Sequence, residues 1–136
     1  CAVCVANGNC ELQTLAQELG VDHIRYPNLH IPRVVDMTHD RFVNDQNRCI
    51  LCTRCVRVCA EVEGAHTWDI QGRGINSHCI SDLAKPWGES ETCTSCGKCV
   101  NVCPTGALVE KGRPAGDVRK RQDFLHYLTK MREARR

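Results

Sequence analysis

The run RCILCTRCVRVC, Arg48 to Cys59, packs four cysteines so closely that the first three recur at strict three-residue intervals. A second run, CTSCGKCVNVCP, repeats the pattern with Cys93, Cys96, Cys99 and Cys103. A chain that spaces thiols this way winds around one object, touches it with three successive side chains and leads the fourth away. In C-x2-C-x2-C-x3-C runs that object is a 4Fe–4S cubane, and the trailing cysteine ligates the other cluster of a pair. The spacing predicts one cluster on Cys49, Cys52, Cys55 and Cys103, and a second on Cys93, Cys96, Cys99 and Cys59. Small residues between ligands (Thr94, Ser95 and Gly97) let backbone N–H groups approach cluster sulfurs and stabilise their negative charge. The second run ends in Pro104, whereas the first has Ala60 at that place. Two copies in so short a chain imply an internal duplication.

Two other uses of cysteine fit poorly. Zinc sites are usually built from paired C-x2-C knuckles that close four ligands on one ion. Twelve cysteines in 136 residues approach the density of a disulfide scaffold, but that reading needs export. No apolar run with a cleavage site opens the sequence, and none approaches a membrane span. An intracellular, cytoplasmic protein whose thiolates hold metal is expected instead. With only six aromatic residues the small lobes have little apolar surface to bury, so metal loading and folding should be coupled.

Cys1, Cys4 and Cys10 form a third group, C-x2-C-x5-C, whose fourth ligand is left open by spacing alone. Gly8 marks a turn, and Asn9 is expected to cap a helix in which Leu12, Leu15, Ala16 and Leu19 share one apolar face before Gly20 stops it. Residues 21–47, with Pro27 and Pro32 and no sustained period, read as an extended connector. AHTWDI and INSHCISD flank QGRG as a hairpin. Cys79 reads as a small buried hydrophobe, and the six histidines show no metal spacing. Residues 113–136 are expected to form a basic amphipathic docking helix with Val118, Phe124, Leu125, Leu128 and Met131 mostly on one face. Charge divides likewise: residues 1–110 carry 9 Lys/Arg against 13 Asp/Glu, residues 111–136 carry 9 against 3. A basic tail on an acidic body without a basic, aromatic-laced face disfavours nucleic acid.

CAVCVANGNCELQTLAQELG resembles the histidine–cysteine cluster segment shared by three related proteins. These are the large iron–sulfur subunit of respiratory complex I, the accessory domain of iron-only hydrogenases, and the diaphorase iron–sulfur subunit of NAD(P)-linked nickel–iron hydrogenases. NRCILCTRCVRVCAEVEGAHTWDIQGRG and PWGESETCTSCGKCVNVCPTGAL are most similar to the last of these. The resemblance implies a third 4Fe–4S cluster on Cys1, Cys4 and Cys10, with a histidine upstream of Cys1 as fourth ligand. It also implies a 2Fe–2S domain further upstream, so the chain is expected to be a fragment. Iron-only hydrogenase and complex I relatives continue into long domains, so a short chain with both motifs is expected to be the diaphorase subunit.

The fold class expected is α+β. Residues 1–20 form a partial His/Cys3-type cluster segment, 21–47 a connector, 48–112 a two-cluster ferredoxin-like domain and 113–136 the helix. The resemblance implies an electron relay between a flavin- and NAD(P)-binding diaphorase subunit and a nickel–iron hydrogenase small subunit. FMN, NAD(P) and the Ni–Fe site would lie in those partners, in a hetero-oligomer without a membrane span. No glycine-rich dinucleotide loop occurs here, and no catalytic residue is expected in this chain. The equivalent subunit of an NAD-dependent formate dehydrogenase or of complex I, a free ferredoxin-type carrier and a purely structural zinc module are the alternatives.

Overall fold

A computed structural model describes residues 3–117 and, beyond them, 120, 124, 126, 130, 133 and 134. Two short antiparallel sheets and two five-residue helices make the central unit. Strand β1 (Phe42–Asn44) pairs with β4 (Leu108–Glu110), setting Val43 opposite Val109. Strand β2 (Trp68–Gln71) pairs with β3 (His78–Ser81) as the expected hairpin. Helices α2 (Arg54–Val58) and α3 (Lys98–Val102) lie one in each cysteine run.

Period-two alternation gives the β1–β4 sheet two different faces. Phe42 and Leu108 enter the main core with Val58, Trp68, Trp87, Val100 and Val102. Val43 and Val109 turn the other way and pack with Cys4, Ala6, Cys10 and Ala115. The sheet is thus shared between the two-motif unit and the N-terminal segment. Backbone bonds complete the join: Glu11 N–H donates to the Pro104 carbonyl at 2.9 Å, and Gly116 N–H to that of Val5 at 2.8 Å.

The expected N-terminal helix is present as α1 (Glu11–Glu18), with Gly20 beyond it at φ +64°. Its cap differs from expectation. The N-cap position falls on Cys10, which makes no side-chain cap bond, and the Asn9 amide donates to the Ala115 carbonyl at 3.2 Å instead. A tertiary acceptor outcompetes the helix end for that amide. No residue of α1 is buried, so Leu12, Leu15 and Leu19 stand exposed.

The connector expected over 21–47 is shorter than its sequence suggested. Strand β1 lies inside it, and Asp36 and Asn44 exchange backbone hydrogen bonds of 2.9 Å. A three-residue strand is too short to show a period, and its partner lies more than sixty residues away. The helix expected over 113–136 falls largely outside the described residues; within them Ala115–Asp117 forms a 3-10 turn.

The two cysteine runs end differently for a covalent reason. After Val102 the chain turns extended at Cys103 and meets Pro104, which has no N–H to continue a helix. After Val58 there is no proline, and Cys59–Glu63 continue as a π-helical turn that Gly64 closes at φ +75°. The Ala60/Pro104 difference is therefore a difference in how each helix stops.

Candidate functional site

Both cysteine runs adopt the same unusual backbone. Leu51 and Thr53 lie at φ +54° and +59°, and the equivalent Ser95 and Gly97 at +56° and +72°. A non-glycine residue in this region costs about 1–2 kcal/mol, and three of these four positions are not glycine. Alternation of this kind turns successive N–H groups toward one concavity, which suits an anion. At Gly97 a Cβ would lie 3.2 Å from the Phe42 ring, so close packing as well as φ favours glycine there. Each run then starts its helix alike, Arg57 N–H bonding the Thr53 carbonyl at 3.0 Å and Asn101 N–H that of Gly97 at 3.1 Å.

The thiols gather into two pockets. Cys49, Cys52, Cys55 and Cys103 line the first with Leu51, Thr53, Ile70, Pro104 and Leu108. Cys59, Cys93, Cys96 and Cys99 line the second with Phe42, Val58, Trp68 and Trp87. Each short helix therefore serves both pockets. Helix α2 carries Cys55 toward the first and leads, one turn or about 6 Å on, to Cys59 at the second. Helix α3 carries Cys99 toward the second and leads to Cys103 at the first. Among the described residues no three His, Cys, Asp or Glu side chains gather tightly enough for a single metal ion. The sulfurs surround a space instead of converging on a point, which fits a polynuclear group.

Hydrogen-bond donors already address several sulfurs. Leu51 N–H points to Cys49 Sγ at 3.4 Å in the first pocket, and Thr67 N–H to Cys59 Sγ at 3.3 Å in the second. Burial raises the Cys49 and Cys99 thiol pKa values above the ordinary range, so free thiols here hold their protons. Inserting a cationic iron centre would have to displace them.

Four residues missed by the sequence reading line or flank the pockets. Cys79 is buried as expected, yet it lines the first pocket with Sγ 3.5 Å from Cys55 Sγ. That contact lowers the Cys55 pKa and raises that of Cys79. At the second pocket, Trp87 Nε1–H donates to Cys93 Sγ at 3.3 Å, and Trp68 lines the same pocket with Cys99. His39 is buried, which depresses its pKa and keeps it neutral. Its Nδ1 accepts Arg41 N–H at 3.0 Å, so the proton sits on Nε2, 3.1 Å from Ser95 Oγ and 3.9 Å from Cys93 Sγ. The sequence His78–Ser81 does not alternate, and β3 buries Cys79 and Ser81 while Ile80 stays half-buried, so all four approach through tertiary packing.

The third group is partly in view. Cys10 is buried and Cys4 half-buried against the outer face of the β1–β4 sheet, while Cys1 lies outside the described residues. A 2.7 Å ion pair between Arg54 and Glu11 ties this segment to the start of α2.

Residues 40–109 match the model of the NADH-quinone oxidoreductase subunit 3 ferredoxin-like domain. Residues 1–25 match that of an NADH-ubiquinone oxidoreductase-G iron-sulfur binding region. "Probable oxidoreductase YjgC" of Bacillus subtilis (strain 168) is 38% identical over 113 residues, 82% of this chain and 11% of its own length. The NADP-reducing hydrogenase subunit HndD of Solidesulfovibrio fructosivorans is 34% identical over 110 residues, 81% of this chain and 19% of its own. A chain in the crystal structure of NAD+-reducing [NiFe]-hydrogenase in the H2-reduced state superposes with TM-score 0.76 at 32% identity. That match covers 84% of this chain and 48% of the other. The chain thus spans roughly a tenth to a fifth of these curated relatives. No helix among the described residues is long and apolar enough to cross a membrane.

Proposed function

Because the chain belongs to the family of the NADH-quinone oxidoreductase subunit 3 ferredoxin-like domain, we propose that it is an electron relay of an NAD(P)-linked hydrogenase complex. Cys49, Cys52, Cys55 and Cys103 would hold one 4Fe–4S cluster, and Cys93, Cys96, Cys99 and Cys59 a second. Cys1, Cys4 and Cys10 would supply three ligands to a third. Clusters held there would supply one-electron chemistry. The protein's part is to fix their separation, exclude water and aim hydrogen bonds at their sulfurs. The observation that carries the proposal is the pair of thiol-lined pockets, each holding three cysteines of one run and closed by a cysteine from the other.

The relay works through short connections. Helix α2 links the first pocket to the second within one turn. The Glu11–Pro104 hydrogen bond links Cys10 to Cys103 through backbone. A flavin- and NAD(P)-binding subunit and a nickel–iron subunit would stand at the two ends of the hetero-oligomer, in a cytoplasm that keeps thiols reduced. Likeness to a chain of an NAD+-reducing [NiFe]-hydrogenase favours that assembly.

Two measurements test the reading. Natively purified complex should contain nickel as well as iron and acid-labile sulfide; molybdenum or tungsten in its place would reassign the assembly to a formate dehydrogenase. Cys96→Ser should remove one reducible cluster and interrupt hydrogen-linked NAD(P) reduction, while dye reactions at either end persist. Unchanged hydrogen-linked reduction in that variant would refute the relay.

A further inference from the structure

The two halves of the duplicated unit match closely in their polar surroundings, and the match exposes one difference. Among the described residues each pocket has one backbone N–H in hydrogen-bond geometry to a cysteine sulfur, from Leu51 in the first and Thr67 in the second. Each has one cation at the equivalent repeat position, Arg54 in the first and Lys98 in the second. Each cation is held by a carboxylate, Arg54 by Glu11 and Lys98 by Glu63. These contributions offset one another between halves.

What remains is unequal. The first pocket adds the Cys79 thiol on Cys55, and S–H is a weak donor. The second pocket is lined by both tryptophans of the chain; the Trp87 indole N–H donates to Cys93 Sγ, and His39 Nε2 lies 3.9 Å from the same sulfur. Both indoles are buried, at 1% and 3% exposure, so the Trp87 donor is not shared with water. They meet edge to face with centroids 4.8 Å apart, and Phe42 stacks on Trp87 at 5.4 Å. The Trp87 backbone N–H is anchored to Asp36 Oδ2 at 2.7 Å.

Reduction adds one negative charge to a cluster and leaves its atoms in place. A fixed donor on a ligand sulfur strengthens as that charge arrives, so it stabilises the reduced state more than the oxidised one. In a dry, low-dielectric pocket the difference is larger than it would be in water. We propose that Trp87 tunes the second pocket's cluster to a higher potential than the first, so that an entering electron comes to rest there. This rests on the reading of the pockets as 4Fe–4S sites. The step is a one-electron exchange: the first cluster is oxidised by one electron, the second is reduced by it, and no proton moves.

The experiment uses the whole complex and an EPR-monitored redox titration. Trp87→Phe keeps a ring in place and removes the donor. It should lower the reduced-to-oxidised ratio of one cluster about tenfold at fixed solution potential, equivalent to about 59 mV for one electron. The other cluster should not respond. Exchangeable-proton coupling to the reduced cluster, seen by ENDOR, should weaken in Trp87→Phe. Iron and sulfide content separates the two layers of inference. Full content with no potential shift, or an equal shift in both clusters, overturns the tuning role. Wild-type complex without iron and sulfide overturns the cluster reading beneath it. Should Phe impair loading, a thianaphthene amino acid at position 87, with sulfur in place of the indole N–H, preserves the shape; an unshifted potential there overturns the proposal equally.

Discussion

Gly88 sits where the Trp87 loop crosses the connector, and Gly88→Ala should be among the most damaging single-methyl additions in the chain. A Cβ at this position would lie 2.4 Å from the Thr38 carbonyl oxygen, 2.5 Å from its carbon and 2.9 Å from His39 N. Ordinary contact begins near 3.4 Å, so the overlap is about 1 Å and falls on backbone, which cannot rotate aside. Tolerating such overpacking costs about 1–3 kcal/mol. Escaping it by parting the two segments strains the 2.8 Å bond from Gly88 N–H to Thr38 Oγ1 and the 2.7 Å bond from Trp87 N–H to Asp36. A hydrogen bond to a charged group is worth about 1.5–3 kcal/mol, so either route costs about 2 kcal/mol. With a urea m-value of about 2 kcal/mol per molar, the denaturation midpoint should fall by about 1 M. The assay follows loss of visible cluster absorbance after fixed anaerobic incubations in urea. Gly64→Ala is the control: φ is +75° with nothing within 4 Å of the new Cβ, so only backbone strain of about 1 kcal/mol applies. A midpoint for Gly88→Ala at or above that of Gly64→Ala would refute the reasoning.

Cys55→Ala should retain a reducible cluster in the first pocket, because Cys79 Sγ lies 3.5 Å from Cys55 Sγ and can take over as ligand. The Cys55→Ala/Cys79→Ala pair should lose it, and equal iron content in the single and double variants would contradict this. Asp36 gives a pH signature. Burial pushes its carboxyl pKa up, but hydrogen bonds from the Thr38 hydroxyl and from the Trp87 and Thr38 backbone N–H groups outweigh it and leave the folded value lowered. Its stabilisation is therefore present above the unfolded carboxylate range and is lost as pH falls through the lower folded value. Asp36→Asn should lower the urea midpoint at neutral pH by the equivalent of about 1–3 kcal/mol. The gap from wild type should hold down to about pH 4 and close below it; a gap that does not narrow would count against the assignment.

The thiols were legible because their spacing is a local property that survives in the linear sequence. Cys49 to Cys59 and Cys93 to Cys103 read as two crossed sets, and the structure brings those sets together around two pockets. The Trp68–Ser81 hairpin and α1 were legible from turn residues and period for the same reason. What escaped depends on partners distant in sequence. Strand β1 is three residues long and exists because Leu108–Glu110 returns beside it. The positions of Trp68, Trp87 and His39 follow from where the connector and hairpin close over the second pocket. Asn9 read as a cap because the segment around Ala115 that captures its amide is 106 residues away.

The exchange of closing cysteines between halves has a geometric corollary. A peptide carrying one run alone would own three thiols of one cavity and export its fourth to a neighbour. Two identical copies about a twofold axis would finish each other, each donating what the other lacks. Joining such a pair head to tail turns a concentration-dependent encounter into an intramolecular one, after which the halves are free to diverge. Ala60 at the repeat position of Pro104, Thr53 at that of Gly97, and two indoles beside one cavity alone are the differences such divergence would leave.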